Sequence, residues 1–152
     1  MIKHDLTNTT LNISQMELIN NTTQIFNKDV KSLVIFNTPY KPRKVIVRNQ
    51  ETDKKIPEDL HKRYRRGAGS LLYLVKQSRT ELSNAVRELS TCMDEANMIH
   101  YKFLLPAIKY VIDTKDYCYQ MKPYRNINGP WELRGNSDAH YAGDNDTWKS
   151  VT

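Results

Sequence analysis

The sequence predicts an α+β chain that is mostly helical: a small three-helix core followed by a carboxyl-terminal β-hairpin. Three observations carry this. Between residues 64 and 116 apolar side chains recur at steps of three and four, the period of a helix face. From Tyr117 to Met121 the pattern changes to alternation, the period of a strand. Asn128-Gly129 then supplies a hairpin turn ahead of a second strand candidate, Trp131 to Asp138.

Taken in order, residues 1–10 are polar and give no structural signal, and Leu11 to Ser14 alternates as a short strand would. Gln15 to Asn27 carries Met16, Leu18, Ile19 and Phe26 at partly helical spacing, weakened by Asn and Thr. Leu33 to Phe36 is a short apolar run, and the amino-terminal third as a whole reads as loosely ordered. Residues 39–63 read as a basic linker, because Pro39, Pro42 and Pro57 interrupt regular structure and charged side chains fill most of the remainder.

The core lies in residues 64–116. Ala68 to Val75 is a mostly apolar run that reads as a buried helix. A second helix follows from the stripe Leu82, Ala85, Val86, Leu89 and Met93, with Ser78 and Glu81 at capping-box spacing. The third carries Tyr101, Leu104, Leu105, Ile108, Val111 and Ile112, with Asn97 as its N-cap. Pro106 stands inside that last stripe, where it lacks a backbone donor and crowds the preceding turn, at a cost of roughly 3 kcal/mol. A kink or a damaged copy of the sequence is expected there.

With 39% hydrophobic and 26% charged residues in 152, the composition is that of one soluble domain with a modest core. No apolar run approaches the roughly 20 residues that span a bilayer, so no membrane partner is expected. Cys92 and Cys118 lack zinc-ligand spacing and point to a reducing compartment, intracellular and either cytoplasmic or nuclear. The net charge of +6 is unevenly placed: residues 41–79 hold 12 Lys and Arg against 4 Asp and Glu, a local +8, leaving −2 for the rest. That segment is where phosphates would be neutralised, and Lys62, Arg63, Arg65 and Arg66 are its densest cluster. Tyr40 and Tyr64 add rings able to stack on bases.

Other chemistry finds little support. Asp144 and Asp146 lack the glycine and distal glutamate of a calcium loop and read as a solvated turn. Gly67-Ala68-Gly69 lacks the Lys-Ser/Thr of a phosphate loop. His61 and His100 have no companions at metal or triad spacing and read as surface or packing residues.

The ordered series Tyr64-Arg65-Arg66-Gly67-Ala68-Gly69-Ser70-Leu71-Leu72-Tyr73-Leu74, Ser78-Arg79, Ala85-Val86, Leu89-Ser90, His100-Tyr101, Tyr110 and Thr114-Lys115-Asp116 resembles the copia-type retrotransposon polyprotein. Ser137-Asp138-Ala139-His140-Tyr141-Ala142-Gly143-Asp144 resembles the first strand of that family's ribonuclease H. The resemblance implies four segments: the end of a polymerase palm (1–38), the basic linker (39–63), a helical thumb or connection core (64–116) and a truncated start of ribonuclease H (117–152). It implies that Asp138 matches the first of several carboxylates that hold two magnesium ions in such nucleases. The other carboxylates, and the adjacent Asp-Asp pair of the polymerase, are absent from this sequence. The expectation is therefore a fragment without catalysis of its own, bearing at most a vestigial metal ligand in Asp138, with the remainder of the polyprotein and an RNA–DNA hybrid as partners. The sequence departs from the family pattern at Thr80, Pro106, Asn136, His140 and Trp148, which fits a decayed or partial copy. The competing expectation is a stand-alone basic helical module that binds nucleic acid or another protein.

Overall fold

The computed structural model describes residues 1–7, 10–39 and 55–122. Its class is the expected one, α+β and mostly helical. The first element is a hairpin of β1 (Ile2–Asp5) and β2 (Thr10–Ile13), antiparallel, with Ile2 opposite Ile13 and Asp5 opposite Thr10. The Met1 ammonium closes it by donating to the Ser14 carbonyl at 2.6 Å. β1 falls in the polar stretch without a sequence signal, because four mixed residues carry no usable period. β3 (Tyr119–Met121) lies along the other edge of β2, antiparallel, with Ile13 opposite Tyr119 and Leu11 opposite Met121. The strand expected at 117–121 is thus present and pairs with the start of the chain. Its expected hairpin partner, 131–138, lies outside the described residues.

Among the described residues four α-helices follow the hairpin. α1 (Met16–Val30) buries Ile19, Thr22, Phe26 and Val30, one stripe at steps of three and four. Its weak helix formers are accommodated locally: the Thr22 and Thr23 hydroxyls each donate to the carbonyl four residues back, at 2.8 Å. α2 (Glu58–Gln77) starts inside the stretch read as linker. Pro57 costs no hydrogen bond there, since the first N–H groups of a helix have no partner within it, and Glu58 and Asp59 place negative charge on the positive end.

The capping box expected at Ser78 and Glu81 does not form. Ser78 is the C-cap of α2, and its hydroxyl is buried without a hydrogen bond among the described residues. A 3-10 turn (Thr80–Leu82) intervenes before α3 (Ser83–Ser90) begins. Met93, expected on the same stripe, lies past the end of α3 but still packs against the core. The anchor of this corner is Arg79, whose side chain is buried.

α4 (Met98–Asp113) has the cap the sequence anticipated. The Asn97 side chain accepts from the Ile99 and His100 amides at 2.9 and 3.0 Å, and the helix runs on through Pro106.

The core lies among the helices and the segments that join them, Ile56, Cys92 and Ala96 included. Ile19 and Phe26 of α1 meet Tyr64, Leu71 and Leu74 of α2, Val86 and Leu89 of α3, and Leu104, Ile108 and Val111 of α4. To the three helices anticipated, α1 adds a fourth, and among the described residues no strand residue joins the cluster. Gly67 marks the closest crossing. A Cβ there would stand 2.8 Å from Leu104 Cδ2 and 2.9 Å from Phe26 Cζ, so only glycine lets α1, α2 and α4 meet at this point.

Candidate nucleic-acid interface on helix α2

The periodicity that buries Tyr64, Gly67, Ala68, Leu71 and Leu74 turns another set outward: Lys62, Arg65, Arg66, Gly69, Tyr73 and Lys76. Lys62, Arg65, Gly69, Tyr73 and Lys76 follow one another at steps of three and four, with Arg66 beside Arg65, so they form a single stripe about 21 Å long at 1.5 Å per residue. Lys62 pairs with Glu58 at 2.9 Å, but both side chains are more than two-thirds exposed, so the pair is weakly held. Arg65 and Arg66 are exposed and form no ion pair among the described residues.

Gly69 sits at the middle of this stripe with nothing within 4 Å of where a Cβ would be. Packing therefore does not demand glycine here, in contrast with Gly67. Its effect is to leave bare helix backbone between the two arginines and the Tyr73 ring, which is 51% exposed. A flat approach flanked by cations and an aromatic face suits a phosphate backbone.

The four cationic residues singled out in the sequence do not share one face of α2. Lys62, Arg65 and Arg66 lie on the outward stripe, whereas Arg63 faces α1. Its guanidinium donates to the Ile25 carbonyl at 2.8 Å, pairs with the Asp29 carboxylate and lies 5.5 Å from the centre of the Phe26 ring. Asp29 also accepts from the Tyr101 hydroxyl at 3.3 Å, so one carboxylate ties α1 to both α2 and α4. Burial, and then the nearby Asp29 charge, push the Tyr101 hydroxyl up to about 12.

Tyr64 is likewise no stacking platform. Its ring is fully buried and its hydroxyl donates to the Leu89 carbonyl at 2.7 Å. Desolvation by burial pushes its ionisation far above the ordinary range. The exposed ring is Tyr73, not Tyr64, and its spacing of four from Gly69 and seven from Arg66 is the sequence signal for it.

Tyr40, Lys41, Arg43, Lys44, Arg48 and Lys54 lie outside the described residues, as do Asp138, Asp144 and Asp146. Among the described residues no cluster of three or more His, Cys, Asp or Glu side chains is placed to hold a metal ion. Among them, too, no helix is long and apolar enough to cross a membrane. No protein-family model, curated protein or solved structure matches this chain.

Proposed function

We propose that this chain is the connecting part of a copia-type reverse transcriptase running into the start of its ribonuclease H. In this reading it holds nucleic acid against the outward face of α2 and performs no catalysis by itself. The observation that supports the contact is the stripe of Lys62, Arg65, Arg66, Tyr73 and Lys76 around the open backbone at Gly69. The stripe reads no sequence, because it offers charge and a stacking face rather than an array of groups matched to base edges. Magnesium belongs to the intact family enzyme, with Asp138 as its one ligand in this chain.

The test is binding of a labelled RNA–DNA hybrid across a salt series. Affinity should fall steeply with salt, and Arg65→Ala with Arg66→Ala should flatten the log–log slope by about 1 for each phosphate left without its cation. Arg63→Ala should leave that slope alone while lowering the unfolding midpoint. Absence of any complex at low salt would sink the reading.

The second reading is a stand-alone helical module that binds nucleic acid or a protein. What favours it is that α1 to α4 and the segments joining them share one core in which, among the described residues, no strand takes part. Genomic sequence flanking the reading frame separates the two: an upstream Asp-Asp pair and downstream carboxylates belong only to the first.

A further inference from the structure

Two histidines sit at the joint where the chain enters α2, and they use their rings in opposite senses. Lys55 bridges Asn97 in antiparallel fashion, and the Ile56 amide donates to the Ala96 carbonyl at 3.4 Å, so residues 55–57 are strapped to the start of α4 just before α2 begins. His61, in the first turns of α2, reaches back with Nε2 to the Met93 carbonyl at 2.9 Å. That nitrogen faces an acceptor and must donate, so the bond survives a second proton on the ring.

His100 is the reverse case. It is 2% exposed, and its Nδ1 lies 3.1 Å from the Asn97 amide, where it must accept. An imidazolium has no acceptor, so a proton at Nδ1 sets donor against donor and breaks the capping box, whatever else Nε2 touches. It also puts positive charge at the positive end of α4. Other titratable groups on the elements meeting here include Lys55 on the strap, Asp94 and Glu95 before α4, Asp29 on α1, Glu58, Asp59, His61, Lys62, Arg63 and Tyr64 early in α2, and Tyr101 and Lys102 on α4. Of these, Lys55 pairs with Glu95 at 2.7 Å and Arg63 with Asp29.

We propose that His100 makes the start of α4 a proton-sensitive latch on the strap leading into α2. With the ring neutral, Asn97 and His100 cap each other and the strap stays paired. On protonation the first turn of α4 loosens and the Lys55–Asn97 pairing goes with it.

The test is His100→Gln in the full chain, because a glutamine oxygen keeps the acceptor without titrating. Between pH 7.5 and 5.5 the parent's thermal midpoint should fall by about 4 °C more than the variant's, the worth of one cap in a chain of this size. Equal falls in both would overturn the proposal, since His61 and the remaining groups are common to the two proteins. Should the variant fail to fold, amide exchange in the parent decides. Protection at Asn97 and Ile56 must drop on acidification while protection within α1 holds, and unchanged protection at those two amides also overturns it.

Discussion

The Arg79 guanidinium holds Thr114 twice, donating to its carbonyl oxygen at 3.1 Å and to its hydroxyl at 2.6 Å. It also pairs with Glu81 at 2.5 Å and lies 5.6 and 5.5 Å from the centres of the Tyr110 and Tyr117 rings. The side chain is 1% exposed, so a desolvated cation joins the corner after α2 to the last turn of α4, where the helix presents its negative end. A buried charge is tolerated only when its donors are used, and here oxygen and ring partners surround it.

Arg79→Ala removes those bonds and opens a cavity beside two aromatic rings. Partly exposed Glu81 is left with access to water, which limits the damage, and the loss should be about 2–4 kcal/mol. Arg79→Lys should recover less than half of that, because an ammonium cannot span Thr114 and Glu81 in one plane. Chemical denaturation of the three proteins checks it, and a lysine variant as stable as the parent would refute the planar-fork account.

The two glycines of α2 make opposite predictions from similar sequence contexts. Gly67→Ala forces a methyl group against Leu104 and Phe26 and should cost about 1–3 kcal/mol. Gly69→Ala meets open space and replaces a poor helix former by the best one, so it should gain about 0.5–1 kcal/mol. The same methyl narrows the proposed contact face, so the second variant should be more stable and bind a hybrid less well. Thermal unfolding and binding isotherms on both variants settle each half separately.

How far the sequence could be read follows from where its information was local. The stripes of α3 and α4, the Asn97 cap and the strands at 10–13 and 119–121 were legible, because period and cap chemistry are properties of neighbouring residues. The start of α2 was not, since Pro57 and a charged run look the same in a linker and in a helix's first turns. Ser78 misled for a different reason: its spacing to Glu81 suits a cap, but Arg79 needs the chain to turn there so that its guanidinium reaches Thr114. Partner choice across the fold was equally hidden. Nothing local distinguishes Arg63, committed to Asp29, from Arg65 and Arg66, which face outward.

Alkaline pH should unfold this protein through two buried hydroxyls. The Tyr101 hydroxyl is pushed up to about 12, and that of Tyr64 is pushed up as well by desolvation, while an unfolded tyrosine ionises near 10. Above pH 10 the unfolded chain therefore sheds protons that the folded chain keeps. Stability is whole below about pH 10 and is lost as pH rises through the folded value. Tyrosinate absorbance alongside denaturant midpoints should show a fraction of the nine tyrosines ionising only as the fold is lost. Tyr101→Phe should weaken the alkaline loss. If every tyrosine titrated together near pH 10 in a chain still folded, the buried hydroxyls would not be where they are described.

Pro106 offers the sharpest test of whether this copy of the sequence carries damage. α4 runs unbroken from Met98 to Asp113, so the helix tolerates the ring, yet proline supplies no donor for the Lys102 carbonyl and crowds that turn. Position 106 is half-buried beside fully buried Ala107 and Ile108, where a long side chain can lay its stem on the core and keep its head in water. Pro106→Arg should therefore restore one backbone bond and stabilise the chain by about 1–3 kcal/mol, with unfolding midpoints rising accordingly. Pro106→Ala separates the causes: it recovers the backbone share alone, so it should give a smaller gain of the same sign. A loss of stability in both variants would mean that the surrounding helices have repacked around the ring, and that Pro106 is a settled part of this fold rather than a lesion in it.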